Sequence, residues 1–356
     1  TFLGLWIFGW DRLPKKLHLA SIWLASTGTL ISAFFILAAN AFMQHPVAYK
    51  LNPETHRAEL TDIMRVLTQN TSIASFTHTI SLAFLTAGSL FAGVGAYLIV
   101  KKKDEEVAHA AVKMGAVVIL ISFIAVAVSG DYSARVMTTQ QPMKMAAAEA
   151  LYDTKANAPF SLFTIGSLDG KKPVFQIGLP SVLSFMSTGK TNGVVEGIND
   201  LEKTYQQKYG EGSYTPVIWL AYWGFRLMIG FGVLAALLAL FILWRQRRGT
   251  LPNGKWYTRS VILLPFLPII GNSFGWIFTE TARQPWIVFG LMKTSDGVSS
   301  VVSTGEVLTT MVVFTLLYGV LAVIEFGLMV KTVQQGPIDV TEGSNANEGA
   351  QLTMAY

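Results

Sequence analysis

Seven ionisable side chains lie inside the long apolar runs of this sequence, where a charge is costly and usually functional. His78 lies in the uncharged run 72–100, and a neutral imidazole is a good iron ligand. The alternative is a histidine hydrogen-bonded to a neighbouring helix, and the residue type alone favours that alternative. The full set is His78, His109, Lys113, Arg226, Glu280, Glu306 and Glu325.

A second candidate iron ligand is the thioether of Met228, in the apolar run 214–244. An imidazole and a thioether together give a low-spin heme of raised potential. Arg226, two residues earlier, would suit a heme propionate through a bidentate ion pair. However, a lone Met in an apolar helix usually only packs, and Arg226 could instead pair with Glu306 or Glu325. The residue types leave both interpretations open.

Trp276, Glu280 and Arg283 are spaced by four and three residues, which places them on one face of a helix. Pro285 cannot continue that helix, so we expect Glu280 near its end, at the membrane boundary. A carboxylate there could ligate iron or pass protons. The alternative is an ordinary interfacial Glu–Arg pair beside an aromatic belt residue.

Lys144 and Glu149 lie in a predicted helix that starts near Gln140, in a long connection between apolar runs. A lysine and a carboxylate could bond the two oxygens of a quinol head group and accept its protons. An amphipathic surface helix with no such role would contain the same residue types, and the types alone favour that alternative.

The composition of the 356-residue chain indicates a membrane protein. It is 51% hydrophobic and 14% charged, whereas soluble domains have about 25% charged residues. The net charge of +5 comes from short basic clusters between apolar runs, which indicates membrane topology and not a nucleic-acid-binding surface. The lack of cysteine excludes disulfides, iron–sulfur clusters and thiolate chemistry. Because Thr1 lies in an apolar stretch, we expect the natural chain to be longer.

Six apolar stretches are long enough to cross a hydrocarbon core, which needs roughly 20 helical residues. Residues 1–8 look like the end of one more span. Four basic connections fall on the same side when the spans are counted, and the positive-inside rule makes that side cytoplasmic. We therefore predict an all-α fold, a polytopic transmembrane helix bundle. The predicted spans are 18–43, 72–100, 107–129, 214–244, 258–280 and 304–331.

The connection 130–213 is the exception to this pattern, because its 84 residues far exceed the usual link. It divides the chain into N-terminal transmembrane helices at 1–129, an outer loop, C-terminal transmembrane helices at 214–332 and a polar tail at 333–356. We expect the tail to be disordered. Shorter helices outside the spans are predicted at about 60–67, 143–151 and 195–209.

Taken in order, five motifs resemble those of the large subunit of cytochrome bd-type quinol oxidases. The resemblance covers essentially the whole chain before the polar tail, and the shared order makes it specific. The motifs are GWDRL at 9–13 with ILAANAFMQHP at 36–46, FTHT at 76–79, QPMKMAAAE at 141–149, FRLM at 225–228 and the run from Trp276 to Trp286.

This resemblance implies three heme groups. His78 and Met228 would be the axial ligands of a low-spin heme b, with Arg226 beside it. Glu280 would be an axial ligand at a high-spin pair, made of a second heme b and either heme d or a third b-type heme. Trp276 and Arg283 would flank that high-spin site.

The resemblance also implies where quinol and protons travel. Lys144 and Glu149 would bind and oxidise quinol in a periplasmic loop at 130–213. Asp11, Ser32 and Asn40 match polar positions near the family's proton routes. Quinol would be oxidised at the periplasmic side and oxygen reduced to water, which generates a proton gradient without pumping.

The implied setting is a bacterial plasma (inner) membrane, with a second large membrane subunit and small single-span subunits as partners. Nucleic acid is not expected as a partner. Two other classes of protein remain as alternatives. A membrane transporter would use Arg226, Glu306 and Glu325 as substrate or proton sites, and a heme-free structural subunit of a respiratory complex would need no His/Met pair.

Overall fold

Helices make up most of the protein. A computed structural model describes residues 1–10, 12–55, 57–103, 105–167, 172–247 and 254–335, so Asp11 and the predicted tail from residue 336 onward lie outside the described residues. The helices are α1 (Phe2–Phe8), α2 (Lys15–Gln44), α3 (Ile63–Thr68), α4 (Asn70–Val100), α5 (Glu105–Gln140), α6 (Pro142–Glu149), α7 (Val182–Thr188), α8 (Ile198–Tyr209), α9 (Ile218–Arg247), α10 (Lys255–Leu263), α11 (Phe266–Thr281) and α12 (Thr304–Gln335). The strands are β1 (Tyr49–Leu51), β2 (Ala58–Leu60), β3 (Lys155–Ala156), β4 (Phe160–Gly166), β5 (Pro173–Leu179), β6 (Val194–Val195), β7 (Trp286–Val288) and β8 (Met292–Lys293).

Five described helices, α2, α4, α5, α9 and α12, are long and apolar enough to cross a membrane. The pair α10 and α11 makes a sixth if it is counted as one bent span. The predicted all-α transmembrane bundle is therefore confirmed. The largest difference in length is at α5, which continues to Gln140, although the sequence predicted that its span would end at residue 129.

The predicted span 258–280 is broken into two helices. α10 ends at Leu263, α11 begins at Phe266, and the two are bent by 41°. Pro265 lies at the break, where its ring and its missing amide hydrogen prevent a continuous helix. A Cβ at Gly93 of α4 would lie 2.7 Å from Cγ of Pro265, so only glycine lets α4 approach the break this closely.

α4 and α5 pack against each other through small residues. A Cβ at Gly115 would lie 2.5 Å from the carbonyl oxygen of Gly88, and Ala92 and Ala116 beside them are fully buried. Small residues let two backbones approach closely, which is how helices commonly associate in a membrane. This contact fixes α4 relative to α5, and the two helices together position the candidate ligand His78.

Within the described residues, the connections contain four two-stranded antiparallel ribbons: β1–β2, β3–β6, β4–β5 and β7–β8. The long segment between α5 and α9 also contains α6, α7 and α8, and two of these helices, α6 and α8, lie where the sequence predicted them. α6 is short, and every residue in it from Met143 to Glu149 is buried. Pro142 at its first turn has no amide hydrogen to leave unpaired, which suits a helix start.

Candidate functional site

One cavity lies among α2, α4, α5, α9 and α11, and it brings together candidate residues from separate spans. His78 of α4 and Met228 of α9 both line it, together with Trp276 of α11. Lys144 of α6 closes the cavity from the connection between α5 and α9. The sequence singled out His78 and Met228 in separate spans, and the fold places both on the wall of a single cavity.

The imidazole of His78 is oriented by the neighbouring helix. Its Nδ1 lies 3.1 Å from Oγ of Ser129, and that hydroxyl donates to the backbone oxygen of Ala125 at 2.7 Å. Because the hydroxyl proton is already used, Ser129 accepts and Nδ1 of His78 must carry the hydrogen. The neutral ring then has its lone pair on Nε2, which is the form in which histidine binds a metal.

Each candidate ligand packs against a glycine of a neighbouring helix. A Cβ at Gly130 would lie 3.4 Å from Cε1 of His78, and a Cβ at Gly275 would lie 2.9 Å from Sδ of Met228. Both glycines line the same cavity. A side chain at Gly275 would therefore collide with the thioether. An imidazole with a free Nε2 and a thioether, both on the wall of one cavity, are the donor set that fits a six-coordinate heme iron.

A chain of hydrogen bonds links Lys144 to Glu280 across α2. Nζ of Lys144 donates to Oε1 of Gln44 at 2.8 Å and to the backbone oxygen of Thr279 at 3.2 Å. Nε2 of Gln44 donates to Oδ1 of Asn40 at 2.7 Å, and Nδ2 of Asn40 donates to Oε1 of Glu280 at 3.2 Å. The two carboxamides thus connect a buried cation to a carboxylate.

Glu280 and Arg283 form an ion pair in which Nη2 of Arg283 lies 2.5 Å from Oε2 of Glu280. Trp276 and Glu280 share α11 as predicted, but Arg283 lies beyond the end of the helix at Thr281 and folds back to reach the carboxylate. The pair that the sequence left open as an alternative is present in the fold. Nε and Nη1 of Arg283 are buried and have no hydrogen-bond partner among the described residues, so the pair can still take a ligand.

Arg226 has a partner that the sequence did not suggest. Its Nη2 lies 2.5 Å from Oε2 of Glu149, and the side chains are 9% and 1% exposed. The ion pair with Glu306 or Glu325 left open in the sequence is not formed, because this arginine is held by α6. Nε and Nη1 of Arg226 are buried, and in the part of the chain that the structure describes they have no partner, which leaves two nitrogens for an anionic group such as a propionate.

Glu149 is covered by the β4–β5 ribbon. The backbone amide of Ser161 donates to its Oε2 at 2.9 Å, and the Ser161 hydroxyl lies 2.8 Å from the hydroxyl of Tyr222. Burial raises the pKa of Glu149, and the charge and hydrogen bond of Arg226 oppose that rise. Its second oxygen, Oε1, is buried, and no described residue donates a hydrogen bond to it.

The side chain of Lys144 is almost completely shielded from solvent. Burial lowers its pKa from 10.5 to about 7, although the negative charge of Glu280 opposes this shift and the positive charge of Arg283 adds to it. A lysine with this pKa exchanges its proton near neutral pH, as an acid–base group must.

Three polar residues in this arrangement were not found from the sequence: Gln44, Ser129 and Ser161. Gln44 follows Asn40 by one helical turn, so its position on the same face of α2 was a usable signal. Ser129 and Ser161 gave no signal, because their importance comes from elements that are distant in the sequence.

The chain matches a family model described as "Cytochrome bd terminal oxidase subunit I" over residues 1–337. It is 39% identical over 336 residues to "Cytochrome bd ubiquinol oxidase subunit 1" of Bacillus subtilis (strain 168). That alignment covers 94% of this chain and 71% of the relative. It is 26% identical over 394 residues to "Cytochrome bd-II ubiquinol oxidase subunit 1" of Escherichia coli (strain K12). That alignment covers 95% of this chain and 76% of the relative.

A solved structure gives the same result for the fold. The bd oxidase from Geobacillus thermodenitrificans aligns with a TM-score of 0.81 at 26% identity, and the alignment covers 94% of this chain and 74% of that one. The similarity therefore includes nearly all of the present chain.

Proposed function

This chain belongs to the cytochrome bd terminal oxidase subunit I family, and from that premise we propose which of its side chains hold the cofactors and which handle quinol. The enzyme is a multi-subunit membrane quinol:oxygen oxidoreductase that contains heme. Family membership does not favour a transporter or a heme-free structural subunit.

His78 and Met228 would hold the iron of the low-spin heme b through the imidazole and the thioether. The observation that carries this assignment is that the two side chains, from separate spans, line one cavity in which a glycine adjoins each of them. Ser129 holds the imidazole in the tautomer with Nε2 free. Arg226 neighbours this heme and uses its two unpartnered nitrogens to bind a propionate.

Glu280 would hold iron at the high-spin pair, which would consist of a second heme b and either heme d or a third b-type heme. Each of its oxygens accepts one hydrogen bond, from Asn40 and from Arg283, and keeps a second lone pair for iron. Trp276 and Arg283 flank this site. When bound, the hemes carry electrons from quinol to oxygen.

Lys144 and Glu149 handle the quinol head group in the segment 130–213, which we propose as the quinol loop. The lysine exchanges protons near pH 7, and Oε1 of Glu149 is free to accept one. Two buried proton acceptors on one short helix match in number the two protons that quinol releases on oxidation. Burial raises the pKa of Glu149, and the charge of Arg226 opposes that rise and so favours the carboxylate.

The two sides of the membrane have different tasks in this proposal. Quinol releases its protons at the periplasmic side, and oxygen takes up cytoplasmic protons on its reduction to water. A proton gradient forms without a pumping step. The basic connections support this orientation under the positive-inside rule. The membrane is the bacterial inner membrane, and the partners are a second large membrane subunit and small single-span subunits.

Substitution of the axial ligands tests the assignment. His78→Ala and Met228→Ala should each remove the low-spin heme b band from a reduced-minus-oxidised spectrum of the purified complex and abolish oxygen uptake driven by quinol. His109→Ala, which removes a histidine from α5 outside the cavity, serves as the control and should keep both signals. Low-spin bands that persist in both ligand variants would refute the assignment.

A further inference from the structure

The β4–β5 ribbon has an apolar face that points away from the protein. The cross-strand pairs Phe163–Ile177 and Ile165–Phe175 lie side by side on this face, and Leu179 extends it. Phe163 is 37% exposed, and the other four side chains are 46–51% exposed. A ribbon in water normally turns its apolar side inward. This ribbon does the opposite, so its outward face requires a non-aqueous environment.

The inward face of the ribbon is small and polar. Ser161 and Thr164 are buried and hydrogen-bonded to each other, and they pair across the ribbon with Gly178 and Gln176. The amide of Ser161 is bonded to Glu149. These contacts fix which face points outward, because a shift of one residue would break all of them and reverse both faces.

The outward face continues onto a membrane-spanning helix. The ring of Phe163 lies 5.5 Å from that of Trp223, edge to face, and Trp223 is the sixth residue of α9. α9 has 30 residues and is therefore about 45 Å long, which leaves about 8 Å at each end outside a hydrocarbon core of about 30 Å. Trp223 thus lies where that core begins, at the depth typical of interfacial aromatic residues.

We propose that the outward face of the β4–β5 ribbon lies in the membrane, against the lipid acyl chains next to the start of α9. The occupant is lipid because the face carries only apolar side chains and meets Trp223 of a helix that is long and apolar enough to span the membrane. The ribbon then anchors the outer segment to the bilayer at the strand that covers Glu149. The proposal requires that α9 crosses the membrane, and it stands whether or not Glu149 contacts quinol.

Site-directed spin labelling can test this, because the chain has no cysteine of its own. Nitroxides are attached at Ile177→Cys and Phe175→Cys in the whole oxidase, reconstituted in phospholipid nanodiscs. Gln176→Cys lies between them on the opposite face, and Gln207→Cys on the exposed side of α8 is the reference for water. A phospholipid that carries a nitroxide on its acyl chain is the reference for lipid. Unsubstituted enzyme, labelled in parallel, gives the background from other subunits.

We expect labels at Ile177 and Phe175 to collide mainly with oxygen, which concentrates in lipid, and only weakly with a water-soluble nickel chelate. At these two labels, the ratio of the oxygen collision rate to the nickel-chelate collision rate should be close to the ratio for the acyl-chain reference. It should be higher than the ratios at Gln176 and Gln207. A ratio like that of Gln207 would place the face in water and overturn the proposal. Immobile labels that neither agent reaches would overturn it too, because a protein would then cover the face. An unchanged heme spectrum confirms that each labelled variant is folded.

Discussion

At the scale of single residues, the hydrogen bonds between Lys144 and Glu280 have one possible direction. A lysine ammonium can only donate and a carboxylate can only accept, so the carboxamides of Gln44 and Asn40 between them must each point their oxygen toward Lys144. Each amide is polarised in the same sense, which couples the charges at the two ends. The proposed quinol site and the proposed high-spin ligand are therefore connected electrostatically through α2.

Gln44→Leu should separate the effect of this connection from that of packing. The variant removes the hydrogen-bond acceptor of the buried Lys144 ammonium. A buried charged group without its partner weakens the equilibrium it supports by about tenfold or more, so the KM for quinol should rise by about that factor. Gln44→Glu keeps an acceptor for Lys144 and should show a smaller rise. Steady-state oxygen uptake at varied quinol concentration measures both. Equal KM values in Gln44→Leu, Gln44→Glu and the natural protein would show that Gln44 does not position Lys144.

The lowered pKa of Lys144 predicts a pH dependence of quinol oxidation. Burial makes this lysine lose its proton near pH 7 and not near 10.5, so the proton-accepting amine is scarce below pH 7 and predominant above it. kcat/KM should therefore rise with pH, by about tenfold per unit well below pH 7, and then level off. Lys144→Arg stays protonated throughout and should lose this rise. A rising limb that survives in Lys144→Arg would assign the titration to another group.

At the scale of elements, the contact between α4 and α5 holds the histidine ligand in place. The backbones approach at Gly88 and Gly115 without intervening side chains. His78 on α4 and its partner Ser129 on α5 therefore remain within hydrogen-bonding distance. Close packing of two backbones is what turns two spans into a rigid frame for a cofactor.

Gly115→Ala should disturb this frame. The added Cβ would meet the oxygen of Gly88 at 2.5 Å and force the helices apart, with an expected loss of stability of about 1–3 kcal/mol. Gly28→Ala on α2, where no atom lies within 4 Å of the added Cβ, is the matched control and should leave stability nearly unchanged. Thermal denaturation of the purified complex, followed by loss of the heme spectrum, compares them. Equal melting temperatures would contradict the proposed tight contact.

The sequence predicted the spans well and the partners of single side chains poorly. Hydropathy locates a helix such as α9 because a run of about 20 consecutive apolar residues rarely occurs outside a membrane span. It could not find the end of α5, because polar residues after 130 can continue a helix outside the hydrocarbon core. Nor could it show that Arg226 meets Glu149, because that contact joins residues far apart in the chain and depends on the course of α6.

At the scale of the whole molecule, the buried contacts of the protein are concentrated around α4, α5, α6, α9 and α11, where the candidate residues meet. α12 is different, since none of its residues is buried within the described part of the chain. An apolar helix of this kind requires lipid or another protein around it. This agrees with a subunit of a membrane-bound, multi-subunit oxidase.

The central claim is that the imidazole of His78 and the thioether of Met228, from two separate spans, ligate one heme iron. Near-infrared magnetic circular dichroism of the oxidised complex tests it most directly, because the charge-transfer band of a low-spin ferric heme reports both axial ligands. We predict the band of His/Met ligation in the natural protein and its replacement by the band of bis-His ligation in Met228→His. A band in the natural protein that Met228→His leaves unchanged would contradict the claim.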